Sequence, residues 1–119
     1  MTVVELRVQL ALGTLTYSDK IGIIYNATSK EILRIFFNQA KDWCTKDHIA
    51  ENRNTPVDIL EKLSRDESIH VRCRVAENIN TPIDILEKLG RDENVIRTVH
   101  EEHRQYCRII GLYKNENDC

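Results

Sequence analysis

The sequence predicts an all-α fold, a solenoid of about four helical-hairpin repeats of about 26 residues that ends in a C-terminal capping helix. Two observations predict it. A phrase in which a Thr is followed three residues later by an acid, and then by apolar residues, begins at Thr2, Thr28, Thr55 and Thr81. An Asn recurs at steps of 26 residues, at Asn26, Asn52 and Asn78. A fixed period of this length is typical of stacked repeats, because one helical hairpin cannot bury its apolar face alone.

Each phrase has the chemistry of a helix start. The Thr hydroxyl can accept a hydrogen bond from the backbone N–H three residues later, and the acid can accept one from the Thr N–H. Pro56 and Pro82 are expected at the first helical position, where a missing N–H leaves no intrahelical bond unmade. We therefore predict a single repeat domain, residues 1–119, with units at 2–26, 27–52, 53–78 and 79–104 and a C-terminal helix and tail at 105–119.

The first unit allows two interpretations. Apolar residues alternate with other residues from Val4 to Leu12, which is typical of a strand that could pair with residues 15–24 around Gly13. The spacing of Thr2 and Glu5 instead matches the helix starts of the later units. We favour a helix, because this pair keeps both the spacing and the capping chemistry.

The third and fourth units are nearly identical. Residues 50–66 and 76–92 differ at three positions, Arg53/Ile79, Val57/Ile83 and Ser64/Gly90. The first helix of the third unit carries one apolar stripe at helical spacing, formed by Val57, Ile59, Leu60 and Leu63. The second, shorter stretch of each unit is expected to be a short α-helix or a 3₁₀ turn. It should end at the recurring Asn, which tolerates the left-handed conformation of a helix stop.

The last segment departs from the repeat. Apolar residues between Val95 and Tyr113 predict one longer helix from about Asn94 to Tyr113, followed by a polar tail. Such a helix would cap the last hairpin, as the terminal unit of an array requires.

The composition is that of an ordinary soluble domain. The net charge is −2 with 30% charged residues, which is not the footprint of a general binder of nucleic acid or anionic membranes. We find no run of 18 apolar residues and no secretory signal, so we expect no membrane span and a cytoplasmic location. The four cysteines, Cys44, Cys73, Cys107 and Cys119, show no pairing motif and are expected to be reduced thiols.

Residues 71–89, from Val71-Arg72 through Asn78, Thr81-Pro82 and Leu86 to Leu89, resemble the leucine-rich repeat variant family and, more broadly, the HEAT-like repeats. The resemblance covers residues 45–97 and implies a right-handed superhelix of alternating α and 3₁₀ helices, and hence a right-handed α-solenoid. The family usually has Pro where this chain has Arg53 and Ile79. One relative carries an iron–sulfur cluster on a Cys-rich N-terminal segment, but this chain has no Cys before Cys44, and we predict no cofactor.

Six residues are candidates for binding a partner: Lys20, Lys46, Arg72, Arg74, Arg97 and Trp43. Four of the cations occupy nearly equivalent places in successive units. They allow two interpretations, a row that lines a groove for phosphate or an acidic partner, and a ladder of ion pairs between units with the recurring Asp42, Asp66 and Asp92. Trp43 is either part of a larger core pocket with Phe36 and Phe37 or an anchor on a binding face.

Other clusters have a structural and a functional interpretation. The Asn residues could read an extended peptide, or cap helices and bond turn backbone. Cys–His pairs occur at helical spacing at Cys44/His48, His70/Cys73 and His103/Cys107, with His100 nearby, but they lack the turns that preform a zinc site. We predict no metal site, and no phosphate loop, carboxylate pair or nucleophile motif indicates an enzyme.

The pattern favours a non-catalytic scaffold that binds another protein. Two alternatives stay open: nucleic-acid binding through the basic residues, and an accessory role to a redox or metallocluster enzyme, which only the family resemblance implies. The first unit is unusually apolar for the end of an array, so we also predict that it is covered, by self-association or by a partner.

Overall fold

The computed structural model describes residues 1–102, with side chains as far as Arg97, and this part of the chain is entirely helical without strands. The eight helices are α1 (Val3–Leu12), α2 (Tyr17–Asn26), α3 (Lys30–Gln39), α4 (Trp43–Glu51), α5 (Val57–Leu63), α6 (Ile69–Glu77), α7 (Ile83–Leu89) and α8 (Glu93–Glu102). The helical interpretation of the first unit is confirmed, and the strand alternative is wrong.

The helices lie in two layers. In one layer α2 packs on α4, α4 on α6 and α6 on α8. The other layer contains the odd-numbered helices, and α1 lies against α3 in it. Across the layers, α3 contacts α2 and α4, α5 contacts α4 and α6, and α7 contacts α6. The core lies between the layers, and each odd-numbered helix gives it a fully buried Leu at the equivalent position: Leu6, Leu33, Leu60 and Leu86. This is the helical-hairpin packing that the apolar stripes predict.

Of the four predicted Thr caps, the structure contains that of Thr2 and none of the other three. Thr2 caps α1 as expected, and its Oγ1 accepts from the Glu5 N–H at 3.1 Å. The cap of α3 is Ser29 and not Thr28, so that start lies one residue later than predicted. The structure also contains a full capping box, at Thr16 and Asp19 of α2, which the sequence analysis did not identify.

In the third and fourth units the predicted Thr caps are wrong. The buried Thr55 and Thr81 turn back to the preceding helix, where their hydroxyls donate to the carbonyls of Ile49 at 2.5 Å and Val75 at 2.6 Å. Pro56 and Pro82 occupy the N-cap position with extended backbone rather than the first helical position. The hydroxyls are thus committed to the end of the preceding helix, and the helix begins after the Pro.

The recurring Asn residues join successive hairpins. Asn52 donates through Nδ2 to the carbonyls of Ile24 at 2.8 Å and Ala27 at 2.9 Å. Asn78 repeats this contact one unit later, with Ala50 at 2.8 Å and Asn52 at 3.0 Å. Each Oδ1 also accepts a backbone N–H two residues on, from Asn54 and Asn80. The expectation that these residues bond turn backbone is confirmed.

The left-handed stop predicted at these Asn residues is wrong. Asn52 and Asn78 have φ of −69° and −68°, and Gly13 alone has a positive φ in the part of the chain that the structure describes. Each Asn has extended backbone instead, and its amide bonds two carbonyls at the end of the preceding hairpin.

Three further expectations concern the short helices, the C-terminus and membranes. The second stretches are α-helical, and no 3₁₀ helix occurs in residues 1–102, unlike the alternation that the resemblance implies. The predicted helix from Asn94 to Tyr113 corresponds to α8 as far as Glu102, and the rest of it, with the 105–119 tail, lies outside the described residues. No helix within that range has the length and apolar character to cross a bilayer.

Candidate functional site

Two of the predicted cations form a ladder of ion pairs between neighbouring units. Lys46 Nζ lies 3.0 Å from Asp66 Oδ1, and Arg72 Nε lies 3.0 Å from Asp92 Oδ2. Arg72 also donates through Nη1 to the carbonyls of Asp66 at 2.7 Å and Glu67 at 3.1 Å. These side chains are largely buried, so their charges hold adjacent hairpins together. For these two cations the structural interpretation is confirmed.

Lys20 and Arg97 are not part of this ladder. Within residues 1–97 no ion pair joins Lys20 to Asp42, the partner that the repeat predicts. Asp42 instead caps α4 by accepting the Thr45 N–H at 2.9 Å, and it accepts the Tyr17 hydroxyl at 3.2 Å. The exposed Arg97 donates to Asn94 Oδ1 at 2.9 Å. Among the described residues, the ladder of ion pairs therefore includes two of the four predicted cations.

Arg74 bridges α4 and α6. Its Nε lies 3.3 Å from Asp47 Oδ1, and its Nη1 lies 2.7 Å from Glu77 Oε2. Burial raises the pKa of Asp47 above its ordinary value, although the charge of Arg74 acts in the opposite direction. The buried Oδ1 accepts no aligned hydrogen bond within the described residues, so the contact is Coulombic. Arg74 is thus another cation used between hairpins.

Trp43 differs from the other predicted aromatic residues. Phe36 is buried and Phe37 is half-buried, with the Lys62 ammonium 5.9 Å from its ring centroid. Trp43 keeps 49% of its surface exposed, and its ring stacks on His70, with centroids 4.8 Å apart and planes inclined by 26°. An exposed aromatic ring held by a neighbour is a typical anchor of protein interfaces.

Trp43 lines an open cleft of about 700 Å³ between the start of α4 and the turn that joins α5 to α6. We call it the Trp43 cleft, and its lining residues are Lys41, Asp42, Trp43, Lys46, Lys62, Arg65, Asp66, Glu67 and Ser68. Its volume lies in the range of ligand sites. Two of the six predicted binding residues, Trp43 and Lys46, meet here. Lys41, Lys62 and Arg65 were not predicted, because their positions in the sequence are those of an ordinary solvated face.

Two of the three carboxylates of the cleft are engaged by the protein itself. Asp42 accepts from the N–H and hydroxyl of Thr45, and Asp66 accepts from Lys46 and from the Ser68 N–H at 3.0 Å. Burial acts to raise the pKa of Asp42, but the hydrogen bonds from Thr45 bring it below its ordinary value. Asp42 is therefore ionised at neutral pH, with its charge directed at the helix start.

A second feature is the exposed apolar stripe on α1. It consists of Met1, Val4, Val8 and Leu12, and we call it the α1 stripe. When α1, α3, α5 and α7 are aligned by their equivalent buried Leu residues, Val4 occupies the position of the acids Glu31, Asp58 and Asp84. These acids face solvent, so the α1 stripe lies on the outward face. Glu5 aligns with the buried Ile32 of α3 and is itself exposed. The stacking face of α1 is thus partly polar, and the apolar surplus faces outward.

Two further clefts lie beside the turn between α2 and α3. One of about 670 Å³ lies beside Met1, Leu15 and Ile23, and one of about 410 Å³ lies beside Tyr25 and Arg53. Neither is lined by any of the six predicted binding residues.

The predicted Cys–His pairs are dispersed. Cys44 is half-buried and Cys73 is buried, and the described residues contain no group of three or more side chains that could hold a metal ion. The side chains of His100, His103 and Cys107 lie outside the described residues.

Comparison with protein-family models, with curated proteins and with solved structures found no match for this chain. The family resemblance therefore stays a prediction.

Proposed function

We propose that this protein is a non-catalytic module that binds another protein, and that the Trp43 cleft is where it binds. The observation that carries the proposal is the position of Trp43, which stacks on His70 at the wall of an open cleft while 49% of its surface faces solvent. Burying a half-exposed indole against a partner releases apolar surface from water, and Trp is among the residues that dominate interface energies.

We also propose the architecture that such a module would use, a right-handed α-solenoid of about four units related to the leucine-rich repeat variant and HEAT-like arrays. The recurring contacts support it. The amide of Asn52 and that of Asn78 each bond two carbonyls at the end of the preceding hairpin, and Lys46 and Arg72 each pair with an Asp 20 residues later. Contacts that repeat at one step along the chain are expected of a stack in which each unit touches its neighbours.

The other candidate functions have less support. Nucleic-acid binding needs several free cations along one face. Lys46, Arg72 and Arg74 are instead paired with carboxylates, which leaves little excess positive field. An accessory role to a redox or metallocluster enzyme rests on the family resemblance alone. We therefore favour a protein partner.

The test is capture of partners from a native cytosolic extract by wild-type protein and by Trp43→Ala. We expect Trp43→Ala to lose the proteins that the wild type retains. The matched control is Ile83→Ala, which removes an exposed apolar side chain that does not line the cleft and should retain them. Circular dichroism must show that both variants are folded.

A direct readout is available, because Trp43 is the one tryptophan of the chain. Titration with a captured partner should change the fluorescence emission of Trp43, because the indole ring loses contact with water. The proposal fails if Trp43→Ala retains the same proteins as the wild type, or if binding leaves the emission of Trp43 unchanged.

A further inference from the structure

We infer that the segment received by the Trp43 cleft is acidic, an extended peptide whose carboxylates meet Lys41 and Lys62 while an apolar side chain packs on Trp43. This inference rests on the proposed function and names the chemistry of the partner.

Two exposed lysines of the cleft have no carboxylate partner. Asp66 is paired with Lys46, whereas no ion pair with a carboxylate is found for Lys41 or Lys62 in the described part of the chain. Asp42 accepts hydrogen bonds from Thr45 but keeps its negative charge, as does Glu67. The cleft therefore has a small net positive charge, and its unpaired lysines favour a negative group placed beside them.

Arg65 adds to this positive charge. It pairs with Glu61 at 3.0 Å along the surface of α5, with both side chains half or more exposed. Such an exposed pair is weak, and Arg65 can turn toward a ligand at little cost. Glu67 is then the one lining carboxylate whose side chain has no partner among the described contacts of the cleft.

The repeat accounts for some residues of this cleft and not for others. One unit later, at a step of 26 residues, Ile69 stands in place of Trp43 and Glu67 in place of Lys41, while Lys88 and Asp92 repeat Lys62 and Asp66. One unit earlier, Tyr17 begins α2 as Trp43 begins α4, and Leu15 stands in place of Lys41. An aromatic ring thus recurs at this place, whereas the additional cation belongs to this junction, and stacking of the repeats does not explain it.

The mixed charges of the cleft suit a peptide better than a nucleic acid. A nucleic-acid backbone carries a charge at every step, so it would pass the carboxylates of Asp42, Asp66 and Glu67 as well as the cations. A peptide can place a few acids beside the lysines and present neutral residues elsewhere. Mixed charges beside one aromatic ring thus favour a peptide.

The experiment uses three labelled synthetic peptides of one length. In the first, glutamates flank a single phenylalanine, and in the second and third each Glu is replaced by Gln or by Lys. Binding to the full chain is measured by fluorescence anisotropy at low salt and with added salt. We expect the Glu peptide to bind about tenfold more tightly than the Gln peptide, and to weaken as salt rises. The Lys peptide should bind least.

The variant that tests the site is the double reversal Lys41→Glu with Lys62→Glu, which should weaken binding of the Glu peptide about tenfold. Lys88→Glu is the matched control, because it reverses the equivalent exposed lysine one unit later and should leave binding unchanged. Circular dichroism verifies folding of each variant.

The outcomes separate the inference from the proposed function. Equal binding of the Glu and Gln peptides, or no binding of the Glu peptide, overturns the acidic partner and leaves the Trp43 capture result standing. A mixed-sequence oligonucleotide that binds more tightly than the Glu peptide, and that the double reversal weakens, overturns it in favour of nucleic acid. Capture that Trp43→Ala leaves unchanged, with the Glu peptide still bound through the lysines, overturns the proposed function instead.

Discussion

Replacing Asn78 by Ala removes the side chain that joins the second and third hairpins. Asn78 is only 4% exposed, and its amide donates to the carbonyls of Ala50 at 2.8 Å and Asn52 at 3.0 Å. Its Oδ1 accepts the Asn80 N–H at 2.9 Å. The substitution therefore leaves three backbone groups without this partner, in a region that water does not readily reach.

The magnitude follows from these three hydrogen bonds. Each contributes about 1 kcal/mol net, and a buried group left unpaired costs roughly 1–3 kcal/mol. We expect Asn78→Ala to lower the free energy of unfolding by about 3–4 kcal/mol. This is a large share of the roughly 5–15 kcal/mol that is typical of a domain. With a urea slope of about 1.5 kcal/mol/M, the midpoint falls by roughly 2 M.

Asn26→Ala is the matched control. Asn26 occupies the corresponding position of the first unit, but it is exposed and donates only to the Gly22 carbonyl of its own helix at 3.0 Å. We expect a loss of at most about 0.5 kcal/mol. Urea unfolding followed by circular dichroism measures both variants. If the free energies of unfolding of Asn78→Ala and Asn26→Ala differ by less than about 1 kcal/mol, the conclusion that the buried Asn78 joins the two hairpins is refuted.

Two further predictions concern pH and assembly. Burial raises the folded-state pKa of Asp47, so its contribution to stability is present below about pH 4 and is lost as pH rises through the raised value. Urea unfolding should therefore show Asp47→Asn gaining stability relative to the wild type as the pH rises above about 4, whereas a difference independent of pH contradicts the shift. If a second copy covers the α1 stripe, the wild type sediments as a dimer at high micromolar concentration and Val8→Glu as a monomer, and a monomeric wild type opposes self-association.

The period of the sequence predicted the helices, because apolar spacing reports directly which face each helix buries. Local chemistry was less informative about what the polar residues do. Thr55 lies in a phrase with the spacing of a capping box, yet its hydroxyl bonds the carbonyl of Ile49 in the preceding helix. Asn52 was expected to end a helix in the left-handed conformation, yet its side-chain amide bonds two carbonyls at the end of the preceding hairpin. Polar side chains in a stack can bond across units, and local spacing does not distinguish the two uses.

The site was predictable only in part, for a related reason. Asp66 and Asp92 recur with Lys46 and Arg72, so pairing could be inferred from the period. The exposure of Trp43 could not, because an aromatic residue at the start of a helix is compatible with both core and surface. Lys62 was also missed, because proximity to Trp43 depends on how far α5 lies from the start of α4.

The residues of this chain fall into two groups, those that recur at the period of about 26 residues and those that do not. Those that recur here, such as Asn52 and Asn78, contact the neighbouring unit, and their polar groups are satisfied by it. A partner cannot use these groups without breaking the stack. Recognition must therefore depend on residues that interrupt the repeat and still reach solvent. Lys41 meets both conditions and lines one cleft with the exposed ring of Trp43, so substitutions there should alter binding with little effect on stability, the reverse of what Asn78→Ala should do.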